Sequence, residues 1–276
     1  FVSILDKMVV VLARTLSRGL APVVERFELD RPEVVTLRDI ERICDEEGIG
    51  TEPRVVASRL KKAGWLLPAG QRGAWEFAPA ELAGPYSACD PLLPVKALAA
   101  ANPKAEPLLR GQTAAWAMGL ADRVPATVEV AIGVGAHTAV PEGVSACSYR
   151  TALPPRRAKG ALSLSPEAVV VQMTERPSSV RSWASAAEWL PDVMAEMSAD
   201  AALVELEGKS AATAQRAGYL LQGARPDIAD AIFEARKPRF VARLGQGSAV
   251  RSSGRWMVAD ADLPWDPEKL LMFTKK

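Results

Sequence analysis

Thr51–Ala78, TEPRVVASRLKKAGWLLPAGQRGAWEFA, is the stretch on which the fold turns. Thr51, Glu52 and Pro53 put a cap, an acid and a proline at a helix start, where each is favoured. Val56, Leu60 and Ala63 recur at i, i+4 and i+7 as one apolar stripe. Gly64 closes that helix. Trp65–Leu67 reads as a short strand. Pro68, Gly70 and Gly73 punctuate a turn, and Ala74–Ala78 reads as a second strand with Trp75 and Phe77 on one face. Just upstream, Thr36 has the character of an N-cap, with Asp39 at the N3 position of a capping box and Leu37, Ile40 and Ile43 following. That helix ends near Gly48 and Gly50. The intervening turn, Glu47–Gly50, has the length that sets two helices steeply against each other. Two short helices, a brief glycine turn and a hairpin spell a winged helix-turn-helix.

Outward from this motif, residues 3–18 follow a helical period through Ile4, Met8, Val11, Leu12 and Leu16, with Gly19 as a stop. Ala21–Val35 is mixed, broken at Pro22 and Pro32. Pro79 and Pro85 mark the exit from the hairpin. Ser87–Pro107, rich in Ala and Pro, reads as a linker with a short helix at Val95–Ala101. The chain therefore divides into 1–88, a winged helix domain, and 89–276, a larger mixed domain. In the latter, Gln112–Leu120 reads as a helix, and Thr127–Val134, Val144–Arg150 and Leu162–Leu164 as strands. Ser165-Pro166-Glu167 is a helix start for Glu167–Glu175, although Val169–Val171 favours a strand. Further helices are expected over Ser182–Met197 (interrupted at Pro191), from Ser198 to Glu207, over Ser210–Gln222 and over Pro226–Arg236. Strands close the chain at Arg239–Leu244, Val250–Arg251 and Arg255–Ala259. The fold class is α+β.

Composition narrows the function. The 276 residues carry 34 Lys and Arg against 33 Asp and Glu, so any polyanion must meet a local charge. No apolar run reaches the ~18 residues of a membrane span. The densest, Met8–Ala13, lacks the longer apolar core and cleavage site of a signal peptide. Phe1 rather than Met begins the sequence, as expected of a trimmed chain. Cys44, Cys89 and Cys147 are far apart and odd in number, which argues against a disulfide framework and for a reducing cytoplasm. A single histidine, His137, leaves no multi-His metal site. Gly133-Val134-Gly135 has Thr138 where a third glycine would stand and Pro141 after it, so it reads as a turn, not a phosphate loop. Neither catalytic residues, metal nor cofactor are expected, and the chain is not expected to be an enzyme. The seven tryptophans are assigned mostly to the core.

What remains is local charge. Thr51–Ala78 holds five basic residues against two acidic ones, whereas Glu28–Glu47 holds eight acids against three arginines. Polarity of this kind suffices for a polyanion, because phosphate attraction acts within about 8 Å at physiological salt. The second of two paired helices enters the major groove, its N-terminal residues nearest the base edges. Arg54, Ser58, Arg59, Lys61 and Lys62, with Thr51 at the helix start and Gln71 and Arg72 on the wing, are the candidate DNA contacts. The competing reading is a solvated helix face on a module that binds protein. A second basic stretch runs from Arg236 to Arg255. Strand alternation would set Arg239 and Arg243 on one face, opposite Phe240 and Leu244, with Arg251 and Arg255 beyond. It suits a nucleic acid or acidic partner, or equally an edge hairpin guarded by charge.

Three segments, in order, carry a family resemblance. VVASRLKKAGWLLPAGQRGAWEFAP (55–79) resembles the "RL-x-x-x-G-x-L … RG-x-Y/W-x-x-x-P" signature of the winged helix in AbiEi-type antitoxins of bacterial type IV toxin–antitoxin systems, with Trp75 in place of the usual tyrosine. LSLSPEAVVVQM (162–173) and QRAGYLLQG (215–223) resemble that family's "S-P-E-R-A" and "R-x-G-Y-L-L-E" helices, with departures at Ala168 and Gln222. The look is of a mycobacterial-like member. The resemblance implies an autorepressor that binds repeats in its own operator. Its second domain would counteract a nucleotidyltransferase-like toxin encoded beside it. It implies Arg54, Arg59, Lys61, Lys62 and Arg72 as DNA contacts, places Ser165–Glu167 and Arg216–Leu221 in the antitoxicity domain, and implies no catalysis. Two alternatives stay open: a ligand-sensing second domain that tunes DNA affinity, and a catalytic one, for which the sequence offers no cluster of titratable groups.

Overall fold

A computed structural model describes residues 16–81, 89–133 and 139–273. Two compact units emerge. One takes the chain to Lys104 together with Ala139–Glu142; the other takes Ala105–Thr138 and everything from Gly143 onward. Helices and three separate sheets make the architecture mixed α+β. The helix expected over 3–18 falls almost wholly outside the described residues, as do Val134 and His137.

The first unit runs α1 (Ala21–Asp30), β1 (Val34–Thr36), α2 (Leu37–Glu46), α3 (Pro53–Lys62), β2 (Leu66–Pro68), β3 (Ala74–Phe77) and α4 (Leu93–Ala101). Helix α1 corrects the sequence reading: Pro22 does not break it but sits in its first turn, where no backbone N–H is needed. At α2 the capping box forms in full. Thr36 Oγ1 accepts from the Asp39 N–H at 3.3 Å, and Asp39 Oδ2 accepts from the Thr36 N–H at 2.8 Å. Both α2 and α3 end in Schellman closures. Ile49 N–H reaches Cys44 O at 2.8 Å across Gly48, and Trp65 N–H reaches Leu60 O at 3.0 Å across Gly64. The two glycines take φ of +64° and +79°, the left-handed geometry such closures need.

Strands β1, β3 and β2 form an antiparallel sheet in that order, with Thr36 opposite Ala74 and Leu66 opposite Phe77. One face of the sheet meets the three helices. Val23, Val24 and Phe27 of α1, Ile40 and Ile43 of α2, and Val56 and Leu60 of α3 pack around Trp65, Leu66 and Phe77, with Trp75 against them. Phe77 lies parallel to Trp65 at 6.5 Å and tilted to Phe27 at 5.5 Å. Each fully buried Ile or Leu here contributes about 1.5–3 kcal/mol. The other face is closed by α4, whose Leu93 and Ala97 cover Ala69 and Ala74. The short helix expected at Val95–Ala101 within the linker is thus a packed one, Leu93–Ala101, in a compact unit that extends to Lys104.

The second unit holds β4 (Leu108–Leu109), α5 (Gly111–Ala117), β5 (Val128–Ile132), β6 (Val144–Ser148), β7 (Arg156–Ala158) and β8 (Ala161–Ser163). Helices α6 (Pro166–Glu175), α7 (Trp183–Ala186), α8 (Leu190–Ala195), α9 (Ala199–Leu206), α10 (Ala211–Leu221) and α11 (Pro226–Ala235) follow, then β9 (Ala242–Leu244), β10 (Arg251–Ser253) and β11 (Val258–Asp260). A mixed sheet has the order β6-β5-β4-β8-β7, and a smaller one β10-β11-β9. Helix α6 is buried at every position from Pro166 to Thr174, which is why the Val169–Val171 run suits a helix here. Its start is settled by Ser165, whose side chain accepts from the Ala168 N–H at 3.2 Å. Serines 182, 198 and 210 cap α7, α9 and α10 in the same way. The terminal strand expected from Arg239 is only Ala242–Leu244. Arg243 is exposed between buried Ala242 and Leu244, but Phe240 is exposed rather than inward, because it precedes the strand.

Candidate nucleic-acid interface

Helix α3 buries Val56, Ala57 and Leu60 against the core. That leaves Arg54, Val55, Ser58, Arg59, Lys61 and Lys62 facing solvent. The expected cap residue, Thr51, is not the cap. Glu52 takes that position without a side-chain bond, and its carbonyl receives the Val55 and Val56 N–H groups at 2.9 and 3.1 Å. Pro53 at the first helical position is pre-set for the helix and lacks an N–H that would have gone unpaired. Thr51 is half-buried beside it. Arg59, Lys61 and Lys62 occupy the last turn, where the helix dipole favours cations. In the β2–β3 turn, Gln71 is half-buried and Arg72 exposed.

A contrast in pairing distinguishes this face. Four cations elsewhere in the unit are matched to carboxylates, Arg26 to Asp30 at 2.9 Å, Arg42 to Glu46 at 3.0 Å, Arg31 to Glu81, and Lys96 to both Glu33 and Asp90 at 2.8 Å, while the exposed Arg18 and Lys104 stand outside this face without an ion pair among the described residues. Arg54, Arg59, Lys61, Lys62 and Arg72 form no ion pair with any described residue. No carboxylate of the acidic segment upstream is paired with a cation of α3 among the described residues.

The structure adds two members that the sequence reading missed. Leu37 N–H donates to Gly73 O at 3.1 Å, which ties the start of α2, where Arg38 stands, to the hairpin turn that carries Arg72. Arg38 is exposed and likewise has no ion-pair partner among the described residues. In the sequence it was hidden inside the acidic run; the backbone bond from Leu37 to Gly73 is what links its helix to the hairpin turn. Val55, 38% exposed on α3, is the second. An apolar side chain on such a face can meet a thymine methyl.

The second basic stretch is different in character. Arg251 pairs with the fully buried Asp260 at 3.1 Å, Arg255 pairs with Asp230, and Arg243 donates to Gly247 O. Arg236 donates to Lys209 O at 3.1 Å. Arg239 is exposed. These side chains mostly brace the C-terminal sheet.

The other motif segments also serve packing. Glu167, nearly buried, accepts from the Ser198 N–H at 3.0 Å and so joins the starts of α6 and α9. Arg216 spans from α10 to Thr174 O at 3.0 Å and Arg243 O at 2.6 Å. Tyr219 Oη donates to Asp260 at 3.1 Å, and burial beside that carboxylate pushes the phenol pKa upward. Gly218 leaves room for Trp256, which is fully buried. These are the residues that hold α6, α9, α10 and the small sheet as one body.

Residues 107–223, which span these contacts, match the family model described as the AbiEi antitoxin C-terminal domain. The second unit carries an AbiEi antitoxin domain. That domain supports an antitoxin role in a toxin–antitoxin system. The AbiEi motif helices Pro166–Glu175 and Ala211–Leu221 both fall inside the match. Over its whole length the chain is also similar to a solved structure titled crystal structure of RV2827C protein from Mycobacterium tuberculosis. The two are 26% identical, with 95% of this chain and 96% of that chain covered and a TM-score of 0.73. No curated protein matches the chain. Among the described residues no helix is long and apolar enough to cross a membrane.

Proposed function

We propose that this protein is a DNA-binding autorepressor and antitoxin. Its first unit acts as a winged helix-turn-helix that reads operator repeats upstream of its own gene, and its AbiEi domain neutralises a nucleotidyltransferase-like toxin encoded beside it in the cytoplasm. It acts by binding, not by catalysis. One observation carries the DNA half: the exposed face of α3 and the adjoining turn gather Arg54, Arg59, Lys61, Lys62 and Arg72, none of them in an ion pair with a described residue, and Arg38 at the start of α2 is likewise unpaired. Arg54, nearest the helix start, is placed for a guanine edge, and the lysines and Arg72 for phosphates. Arg38 sits at the start of α2, where a first helix crosses the backbone. A single such unit buries little DNA surface, so two copies on an inverted repeat fit the affinity a repressor needs.

The test is the double variant Arg54→Glu with Lys62→Glu. Both side chains are exposed, so the melting temperature should stay within about a degree of the parent while operator binding is lost. Normal operator binding by that variant would show that α3 is not the reading helix. For the second half, the protein is co-expressed with the neighbouring toxin. Rescue of growth by the double variant, with DNA binding gone, would assign neutralisation to the AbiEi domain.

A further inference from the structure

Within the second unit a cavity of about 300 Å³ opens between the start of α5, strand β5 and the segment that leads into α7. Its floor is charged. Arg110 is 2% and Glu129 6% exposed, and they face each other across 3.4 Å. That pair is poorly satisfied. Arg110 Nη1 donates to Ser179 O at 3.3 Å, while its Nε has no hydrogen-bond partner. Glu129 takes a backbone N–H from Gln112, yet burial still raises its pKa against the pull of Arg110 and Arg181. Buried ions need close geometry and filled lone pairs to offset their desolvation, and this pair has neither in full. Gly111 is held at φ +52°, and a Cβ there would lie 2.7 Å from Glu129 Oε2, so the backbone itself makes room for the carboxylate. Arg181 lines the same cavity and is exposed, which puts a second guanidinium at its rim. Met173, Val180 and Trp189 supply apolar wall.

We propose that this cavity binds a small zwitterion, an α-amino acid, with its carboxylate met by the arginines and its ammonium by Glu129. Arg110 keeps a donor without a partner, and the 3.4 Å separation leaves it loosely paired with Glu129. A ligand that carries an anion and a cation a few bonds apart satisfies both, which a simple anion or a simple amine does not. The volume is at the small end of ligand cavities, as a single amino acid requires. The apolar wall would receive the ligand's side chain. This inference is independent of DNA reading by the first unit.

The test is thermal denaturation of the full chain with each of the proteinogenic L-amino acids, followed by calorimetric titration of those that stabilise it. Inorganic phosphate, and the N-acetyl and methyl ester forms of each active amino acid, serve as further probes. The proposal expects at least one free amino acid to raise the melting temperature by mass action. Blocking either end should cost roughly tenfold or more in affinity. Arg181→Ala, at an exposed position that spares the fold, and Glu129→Gln should each weaken the same ligand by a similar factor. No stabilisation by any amino acid would overturn it. So would stabilisation that survives blocking, that phosphate reproduces, or that Arg181→Ala leaves unchanged.

Discussion

Replacing Gly218 by alanine puts the packing of the AbiEi domain under direct test. In most helices Gly→Ala stabilises by about 1 kcal/mol. Here the added Cβ would lie 2.0, 2.1 and 2.5 Å from three carbons of the Trp256 indole. That ring is fully buried, stands edge-on to Phe233 at 5.5 Å, and belongs to a residue whose carbonyl is held by Gln215. It is a rigid obstacle with nowhere to go. An approach this close puts the overpacking cost in the upper part of its usual range, about 2–3 kcal/mol, so the net loss after the helix gain of about 1 kcal/mol is about 1–2 kcal/mol. For a unit of this size that lowers the melting temperature by roughly 2–8 °C. The assay is thermal and urea denaturation of the parent, Gly218→Ala, Trp256→Phe and the double variant. In the Trp256→Phe background the alanine should cost distinctly less, because the clashing ring atoms are gone. A higher melting temperature for Gly218→Ala, or an equal cost in both backgrounds, would refute this account of the α10 contact.

Thr36→Ala removes half of the capping box at α2, and urea unfolding should show a loss of about 1 kcal/mol with unchanged slope; an unchanged midpoint would deny the cap its role. Glu129 binds its proton more tightly folded than unfolded, so its contribution to stability is greatest below the ordinary glutamate pKa of about 4.3 and declines as pH rises from there through the raised folded value. Glu129→Gln should flatten that part of the stability–pH curve, and an identical curve in the variant would contradict it.

Local signals were legible where a few neighbouring residues decide an outcome. Thr36 with Asp39, and Ser165 before Pro166, announced helix starts that the geometry confirms. Gly48 and Gly64 announced helix ends. Signals failed where distant packing decides. The strands β1, β4 and β7 span two or three residues, too few for any period to show. Pro22 reads as a breaker unless the helix is known to begin beside it. Phe240 alternates correctly for a strand that starts two residues later. The α3 cations were visible because they lie on one helix, whereas the link between the start of α2, with Arg38, and the hairpin turn, with Arg72, comes only from a strand pairing and the bond that follows it. Arg110 and Glu129 belong to no motif, and their meeting depends on the β4–β5 register, with the Arg110 N–H donating to Glu129 O at 3.0 Å.

DNA reading by α3 and its hairpin underlies the proposed repressor. Fluorescence anisotropy of the full chain, against its own upstream DNA and a scrambled duplex across a salt series, tests it most directly. Tight binding to the upstream site is expected, with strong preference over the scrambled duplex and affinity that falls with salt by a slope of about −0.9 for each phosphate neutralised. Weak binding, equal on both duplexes, would contradict it and make the first unit a protein-docking module.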